Sequence, residues 1–313
     1  MTAIYTCTMN LAIDLFIETD TLDPWVVNRS LDDDIQANGK GVNVSLILKQ
    51  LGLTSTALGF SGGFTGEYIG QFLREKGIQT DFIGVDGMTR INVFTQVNKP
   101  QSEYKLVNKG PEIDQAQIDQ LLQQISTIPA GSYLCISGSL PRGVSPQIFE
   151  QISEIAARNQ LHLILDTSYK EVLNCLKYSP FLLKPNDDEL AEWFGKDQLT
   201  LEECMAYGQE LIREGAQHVL VSLGAKGGLY LSADCVLYGN APTGNVVNTA
   251  CAGDTLLGRF IGGLLQGQEL EQSLKGSLAA ASSTAFRKGL TDFSDVEELS
   301  QQIDIKRLVI ETH

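Results

Sequence analysis

The 313-residue sequence predicts an α/β fold with a mainly parallel sheet. Short apolar runs such as 161–165 and 218–221 alternate with amphipathic stretches of about 10 to 15 residues, which is the pattern of strand–helix–strand units. Nearly every glycine-rich or charged motif follows one of these runs, and ligands bind parallel sheets at the carboxyl ends of their strands. No linker, repeat or low-complexity tract interrupts the pattern, so we expect one domain over residues 1–313.

The first half of the chain begins with a β-rich segment, 2–7. A helix over 44–52, a strand over 56–60 and a helix over 67–76 follow, and glycine closes both helices, as is common just past a helix C-terminus. Segments about 11–35 and 91–107 contain short exposed strands that do not fit the alternation. They predict a separate small sheet, which we interpret as a lid.

The second half continues the alternation and ends in helices. The predicted segments are a helix at 114–125, strands at 133–136, 161–165, 181–183 and 218–221, helices at 146–158 and 201–214, and two short strands within 229–238.

Composition excludes several classes of function. A formal charge of −15 argues against nucleic acid and anionic membranes as partners, and the first ten residues do not resemble a secretion signal, so we expect a cytoplasmic protein. Six scattered cysteines without C-x-x-C spacing and three histidines argue against a structural metal. If the ligand is anionic, lysine and arginine in the glycine-rich loops must overcome the overall negative field.

The segment 248–255 is the strongest single signal for chemistry. It runs into an apolar helix, and the first turn of a helix offers unpaired amides and partial positive charge to an anion. Ala252 and Gly253 leave room for that anion, and Asp254 could take a proton from an attacking hydroxyl. Asp254 could equally be a helix N-cap. These residues alone leave both interpretations open.

The motifs together resemble the ribokinase / phosphofructokinase-B family of sugar kinases over the whole chain. Taken singly, the glycine loops are weak signals, and neither P-loop spacing nor a dinucleotide fingerprint is present. The segments that match the family in order are 38–44, 62–66, 137–141, 165–168, 184–189, 222–227 and 248–254.

The resemblance implies a ribokinase-like three-layer sandwich with a β-sheet lid. Exposed lid strands have open edges that need covering, so we expect a homodimer formed through the lid. The resemblance implies Asp254 as general base and an amide anion hole at 252–254, formed by Ala252, Gly253 and Asp254, with Cys251 in the same catalytic turn. The other implied positions are Asp14, Gly39, Lys40, Asn43 and Ser139 for the sugar, Lys184, Asn186, Ser222, Gly224, Gly227 and Gly253 for ATP, and Asn186 with Glu189 for Mg²⁺, through water.

The resemblance also implies a phosphosugar substrate. Arg90, in the context Thr89-Arg90-Ile91-Asn92, matches an arginine that grips the substrate's existing phosphate, for which a guanidinium fork is suited. The implied activity is that of a 1-phosphofructokinase, which converts fructose 1-phosphate to fructose 1,6-bisphosphate. Tagatose-6-phosphate kinase activity is the alternative, and a non-catalytic sugar-phosphate sensor is the second alternative.

Four positions depart from the commonest family pattern. Cys251 and Asn38 replace glycine, Thr255 replaces serine, and Leu11 replaces proline. None of these changes removes a charged group, so we expect activity to survive them.

Overall fold

A computed structural model describes residues 2–308. Its strands are β1 (Ile4–Thr8), β2 (Ala12–Thr19), β3 (Ser30–Asn38), β4 (Thr56–Ser61), β5 (Gln79–Gly84), β6 (Arg90–Asn98), β7 (Gln101–Leu106), β8 (Tyr133–Ser137), β9 (His162–Asp166), β10 (Leu182–Leu183), β11 (His218–Ser222), β12 (Gly228–Ser232), β13 (Val236–Gly239) and β14 (Ile305–Leu308). Its α-helices are α1 (Lys40–Gln50), α2 (Gly63–Glu75), α3 (Gln115–Ser126), α4 (Gln147–Arg158), α5 (Asp187–Trp193), α6 (Leu201–Glu214), α7 (Ala252–Leu265), α8 (Leu270–Ala285) and α9 (Val296–Ser300).

The main sheet has ten strands in the order β14-β13-β12-β11-β10-β9-β8-β1-β4-β5. The strands from β11 to β5 pair in parallel, and β12, β13 and β14 extend that edge with antiparallel pairs. The predicted parallel architecture is confirmed. The carboxyl ends of the parallel strands therefore meet along one edge.

Alternating side chains of the central strands enter two separate cores. On β8, Leu134 and Ile136 pack toward α3 and α4, whereas Cys135 packs toward α1, α7 and α8. Successive residues of a strand point to opposite faces, so an apolar run without alternation marks a strand covered by helices on both faces. Each fully buried Leu or Ile contributes roughly 1.5–3 kcal/mol, which holds the three layers together.

The lid is a four-stranded sheet in the order β3-β2-β6-β7, in which β2 and β6 pair in parallel. Strand β3 extends to Asn38, three residues beyond the predicted end of this lid segment. Asp14 and Phe16 lie on one face of the lid, and Leu15 and Ile17 lie on the other, because side chains alternate along β2. The lid thus has a polar face and an apolar face.

Several boundaries and elements differ from the prediction. Helix α1 begins at Lys40 and α2 at Gly63, each four residues earlier than expected, inside segments whose glycines had indicated loops. The edge strands β5 and β14 and the 3₁₀ segment Lys170–Tyr178 were missed. Edge strands are half polar and lack the apolar run of a central strand. No helix among residues 2–308 has the length and apolarity needed to cross a membrane.

Candidate active site

The predicted site residues meet at the carboxyl edge of the parallel strands. Asp166 is the last residue of β9, Lys184 follows β10 directly, and Ser222 ends β11. Asn10 and Ser139 follow β1 and β8, and a hydrogen bond of 3.3 Å joins their side chains. The strand order thus brings together residues that are far apart in the sequence.

Asp254 lies in the first turn of α7 and is buried, with 6% of its surface exposed. The N-cap of α7 is Cys251, in the left-handed region at φ 64°, so the alternative interpretation of Asp254 as N-cap is wrong. One Asp254 oxygen, Oδ2, accepts a hydrogen bond of 2.8 Å from Asn43 Nδ2. Burial, and then the nearby Asp166 carboxylate, raise the pKa of Asp254 to about 6, although Lys40, Asn43 and Lys184 oppose the shift.

The amides at the start of α7 are available to a ligand. The amides of Gly253 and Asp254 donate to no protein acceptor among residues 2–308, and Ala252 N reaches Thr249 O only at 3.4 Å. A Cβ on Gly253 would lie 3.5 Å from Lys184 Nζ. A glycine here therefore leaves the space between the amides and the Lys184 ammonium group open, which suits an anion.

Asp166 pairs with two lysines beside this space. Its Oδ1 lies 3.1 Å from Lys184 Nζ and 3.3 Å from Lys40 Nζ. Complete burial alone would raise the pKa of Asp166, but the two ammonium groups outweigh burial and hold that pKa below its usual range. The sequence prediction did not assign Asp166 to the site, although an acid at the end of a buried strand could have indicated it.

Asp14 is held by two asparagine side chains of the lid. Its Oδ1 accepts from Asn92 Nδ2 at 2.8 Å, and its Oδ2 accepts from Asn38 Nδ2. Asn38 Oδ1 in turn accepts from Asn43 Nδ2 at 2.8 Å. The amides of Asn38 and Asn43 thus connect Asp14 to Asp254, because Asn43 Nδ2 also contacts Asp254. Neither Asn38 nor Asn92 was predicted as a site residue.

Gly39 is required by close packing, and its amide also contacts this network by donating to Asn38 Oδ1 at 2.6 Å. Its φ is 149°, and a Cβ there would lie 2.7 Å from Thr8 Cγ2. Larger residues would separate β3 from β1 at the point where the lid joins the main sheet.

The Arg90 side chain donates hydrogen bonds to three loops of the site. Its Nη1 donates to Asn108 O at 3.1 Å, and its Nη2 donates to Asn10 O at 3.1 Å and to Ser139 Oγ at 3.4 Å. Its Nε is buried without a hydrogen-bond acceptor among the described residues. Arg90 and Ser139, which were each predicted to bind the substrate, therefore lie in contact.

The residues predicted for the nucleotide and Mg²⁺ have clear structural roles. Asn186 and Glu189 cap α5 reciprocally, with hydrogen bonds of 2.9 and 2.7 Å. Ser222 lies beside Asn186, and its amide donates to Pro185 O at 3.1 Å. Gly224 is left-handed at φ 55°.

Gly227 is explained by packing. A Cβ on Gly227 would lie 1.9 Å from Gly239 O. Its glycine is therefore required by the neighbouring strand, whether or not a nucleotide binds.

The donors near α5 fit Mg²⁺ only if phosphates and water supply most of its ligands. Glu189 Oε1 makes no hydrogen bond in the cap, and Glu189 lies close enough to Lys40 to contribute to raising the pKa of that lysine. Within residues 2–308, no three acidic, histidine or cysteine side chains converge as a metal site. Mg²⁺ commonly binds through one or two carboxylates plus substrate phosphates and keeps several waters.

A cleft of about 390 Å³ lies on the polar face of the lid, next to these residues. Its lining includes Glu18, Asp32, Asp34 and Glu103 but neither Asp14 nor Asp254. Carboxylates repel phosphate, so the lysine-lined space at α7 is the better site for an anionic substrate.

Comparisons with known proteins identify the family of this chain. A family model described as "pfkB family carbohydrate kinase" matches residues 7–297. The chain is 51% identical to D-tagatose-1-phosphate kinase from Bacillus licheniformis, covering 97% of this chain and 100% of that protein. It is 35% identical to 1-phosphofructokinase from Bacillus subtilis, with the same coverage.

A solved structure of phosphofructokinase-2 from Escherichia coli, in complex with substrates and products, superimposes with a TM-score of 0.89. It is 27% identical and covers 96% of this chain and 99% of that chain. Another solved structure of that enzyme is of its tetrameric inhibited form.

Proposed function

The chain belongs to the pfkB family of carbohydrate kinases, and from this premise we propose that it phosphorylates the 6-hydroxyl of a ketohexose 1-phosphate. Fructose 1-phosphate is the substrate that the sequence predicted. Tagatose 1-phosphate is its epimer at C4, and the 51% identity to a D-tagatose-1-phosphate kinase supports it as the first candidate. Either sugar would give a 1,6-bisphosphate.

The observation that carries this proposal is the buried Asp254 beside unpaired helix amides and two lysines. Asp254 accepts the proton of the sugar hydroxyl, whose oxygen forms a bond to the γ-phosphorus of ATP while the bond to the leaving oxygen breaks. The amides of Gly253 and Asp254, together with Lys184, stabilise the negative charge on the transferring group. Phosphoryl transfer depends on this kind of alignment and charge stabilisation more than on covalent participation by the protein.

The sugar is held at the lid end of the site. Asp14 accepts hydrogen bonds from sugar hydroxyls, with Gly39 and Asn43 beside it. Arg90 and Ser139 bind the phosphate that the sugar already carries. Support comes from the unpaired Arg90 Nε and from its contact with Ser139.

The nucleotide lies along Lys184, Ser222 and Gly224, with Lys40 on the sugar side. When bound, Mg²⁺ neutralises charge on the nucleotide phosphates. Asn186 and Glu189 would hold its water ligands, for which Glu189 has one carboxylate oxygen outside the cap. Gly227 shapes the loop that holds the nucleotide.

We further propose that the lid forms a homodimer and that the enzyme works in the cytoplasm. The apolar face of the lid supports the dimer, since an exposed apolar patch on a sheet is commonly covered by a partner. Ile35 and Leu106 on that face are 51% and 63% exposed.

Four substrates compared side by side test the proposed activity. Coupled assays should measure kcat/KM for tagatose 1-phosphate, fructose 1-phosphate, tagatose 6-phosphate and fructose 6-phosphate. We expect one of the 1-phosphates to exceed both 6-phosphates by at least about tenfold, because Arg90 fixes the end of the sugar that carries phosphate. A preference for a 6-phosphate would refute the proposal.

The same assay separates catalysis from the sensor alternative. Calorimetric binding of a sugar phosphate by the wild-type protein, without turnover in the presence of ATP and Mg²⁺, would favour a sensor. Asp254→Asn is the matched control, since we expect it to keep sugar binding and lose turnover.

A further inference from the structure

Asn38 is a lid residue that the family resemblance treats as a harmless departure from glycine. In the structure its side chain makes three hydrogen bonds inside the site. Its Nδ2 donates to Asp14 Oδ2, and its Oδ1 accepts from Gly39 N at 2.6 Å and from Asn43 Nδ2 at 2.8 Å. A glycine at this position could make none of these contacts.

The orientation of the Asn38 amide is fixed by its partners. A carboxylate only accepts hydrogen bonds and a backbone amide only donates, so Nδ2 must face Asp14 and Oδ1 must face Gly39. Asn43 then has to present its own NH₂ group to Asn38, and the same NH₂ group reaches Asp254 Oδ2 at 2.8 Å. The donor directions are therefore fixed, and they run outward from Asn43 Nδ2, to Asp254 on one side and through Asn38 to Asp14 on the other.

This network crosses between two parts of the fold. Asp14 and Asn38 belong to the lid strands β2 and β3, whereas Asn43 and Asp254 belong to the helices α1 and α7. The bond between Asn38 and Asn43 is the polar side-chain contact that joins the acid at the sugar end to the acid at the phosphoryl end.

We propose that Asn38 is a positioning residue that aims the Asp14 carboxylate at the sugar and aligns it with Asp254 through Asn43. The inference rests on the proposed function for the identity of the sugar. Without the Asn38 amide, Oδ2 of Asp14 loses a hydrogen-bond donor, and Asp14 is only 4% exposed. Asn43 loses one of the groups that fix its orientation.

Two substitutions of Asn38 test the role. Asn38→Ala removes all three side-chain contacts, and Asn38→Asp keeps an acceptor for Gly39 and Asn43 while replacing the donor to Asp14 by a second carboxylate. We expect both to raise KM for the phosphosugar by about 10- to 100-fold, as for loss of a hydrogen bond to a charged group, with Asn38→Asp the more severe. KM for ATP and the melting temperature should stay near wild type.

Gln36→Ala is the matched control. Gln36 lies opposite Asp14 in the strand register, two residues from Asn38, but its side chain bonds Asp34 instead. We expect its kinetics to match wild type. Equal changes in the KM values for sugar and ATP in the Asn38 variants, or wild-type KM for the sugar in both, would reduce Asn38 to a turn residue and overturn the inference.

A crystal structure of Asn38→Ala gives a readout that does not depend on the substrate. We expect the Asp14 carboxylate to rotate away from its wild-type position while the backbone of β2 and β3 is unchanged. An unmoved carboxylate would overturn the positioning role. Absence of turnover with every ketohexose phosphate in the wild-type protein would instead refute the proposed function, and the Asp14 rotation would still decide the role of Asn38.

Discussion

Asp254 lies where an ionised carboxylate is disfavoured. It is buried, and the Asp166 carboxylate is nearby, so the pKa of Asp254 is raised from 3.8 to about 6. Asp166 experiences the opposite balance, because its two lysine partners hold its pKa below the usual range. Two acids of one site thus have different tasks: Asp254 can take up a proton near neutral pH, and Asp166 stays charged and holds the lysines.

Asp254→Asn should abolish most activity and stabilise the fold. We expect kcat to fall by about 10²–10⁴-fold, because the general base is lost. A pKa raised on folding means that ionisation of Asp254 destabilises the folded state above about pH 6, so a neutral amide should add roughly 1–3 kcal/mol at pH 8. Thermal unfolding at pH 8 and single-turnover kinetics measure the two effects.

The matched control for this variant is Asp166→Asn, which should lower the melting temperature because it leaves two lysines without their buried partner. Near-normal turnover in Asp254→Asn would exclude Asp254 as the base. A lower melting temperature of Asp254→Asn would show that the surroundings of Asp254 favour the ionised carboxylate.

The pH dependence of the reaction should report Asp254. We expect kcat/KM for the phosphosugar to be constant above about pH 7 and to fall tenfold per pH unit below about pH 6, as the base becomes protonated. The substrate phosphate also titrates near pH 6. Asn43→Ala separates the titration of Asp254 from that of the substrate phosphate. In the wild-type protein the hydrogen bond from Asn43 lowers the pKa of Asp254, and its loss cannot change the pKa of the substrate. If kcat/KM falls at the same pH in the wild-type protein and in Asn43→Ala, the fall reports the substrate phosphate.

Residue types and the order of the motifs predicted most of the residues that meet in the site. They could not predict which side chains bond to each other. Asn43 and Asp254 are separated by 211 positions in the chain, and their contact depends on how α1 and α7 cross. The family pattern has glycine at position 38, and glycine has no side chain. The resemblance therefore could not predict the hydrogen bonds of the Asn38 side chain. The capping box of Asn186 and Glu189 was foreseeable from its three-residue spacing.

At the scale of the elements, the site depends on the close approach of α1 and α7. Gly258 faces α1, and a Cβ there would lie 3.0 Å from Ile47 Cβ and 3.3 Å from Val44 O. These helices carry Asn43 and Asp254 at their first turns. A glycine in the interior of α7 therefore sets the distance between two polar residues one turn away.

Gly258→Val should separate α1 from α7 and weaken the contact between Asn43 and Asp254. We expect a loss of roughly 1–3 kcal/mol of stability from overpacking and a fall of at least about tenfold in kcat/KM. Denaturant unfolding and steady-state kinetics check the two values. Gly84→Val is the control, because no atom of residues 2–308 lies within 4 Å of a Cβ at that position. Wild-type kinetics in Gly258→Val would contradict this account of the helix contact.

The predicted starts of α1 and α2 came too late because of how glycine was interpreted. Gly41 and Gly66 had indicated loops, yet a Cβ on Gly41 would lie 2.7 Å from Thr8 Oγ1, and one on Gly66 would lie 2.3 Å from Ser61 Oγ. Glycine serves close packing of helix on strand at both positions. That role depends on the tertiary structure and leaves no local signal that separates it from a turn.

At the scale of the whole molecule, the lid presents an apolar row across all four of its strands. Ile35, Leu15, Val93 and Leu106 are neighbours in register from β3 to β7. A monomer would leave this row in contact with water, and a second lid packed against it would bury the row. The dimer predicted through the lid therefore has a defined surface.

Replacing Ile35 and Leu106 together by glutamate should prevent dimerisation. We expect sedimentation to show dimers for the wild-type protein and monomers for the double variant, because carboxylates at the centre of an apolar interface are strongly disfavoured. Lys105→Glu, on the same strand but the opposite face, should remain dimeric. Monomers of the wild-type protein across the working concentrations would count against the lid interface.

The join between lid and body has one further consequence. Strand β3 ends at Asn38 and helix α1 begins at Lys40, so a single residue, Gly39, separates them. A connection of one residue is short, so a tilt of the lid also moves the first turn of α1. Under the proposed function, closure of the lid on the sugar would move Asn43 in that first turn, and Asn43 holds Asp254 through its hydrogen bond.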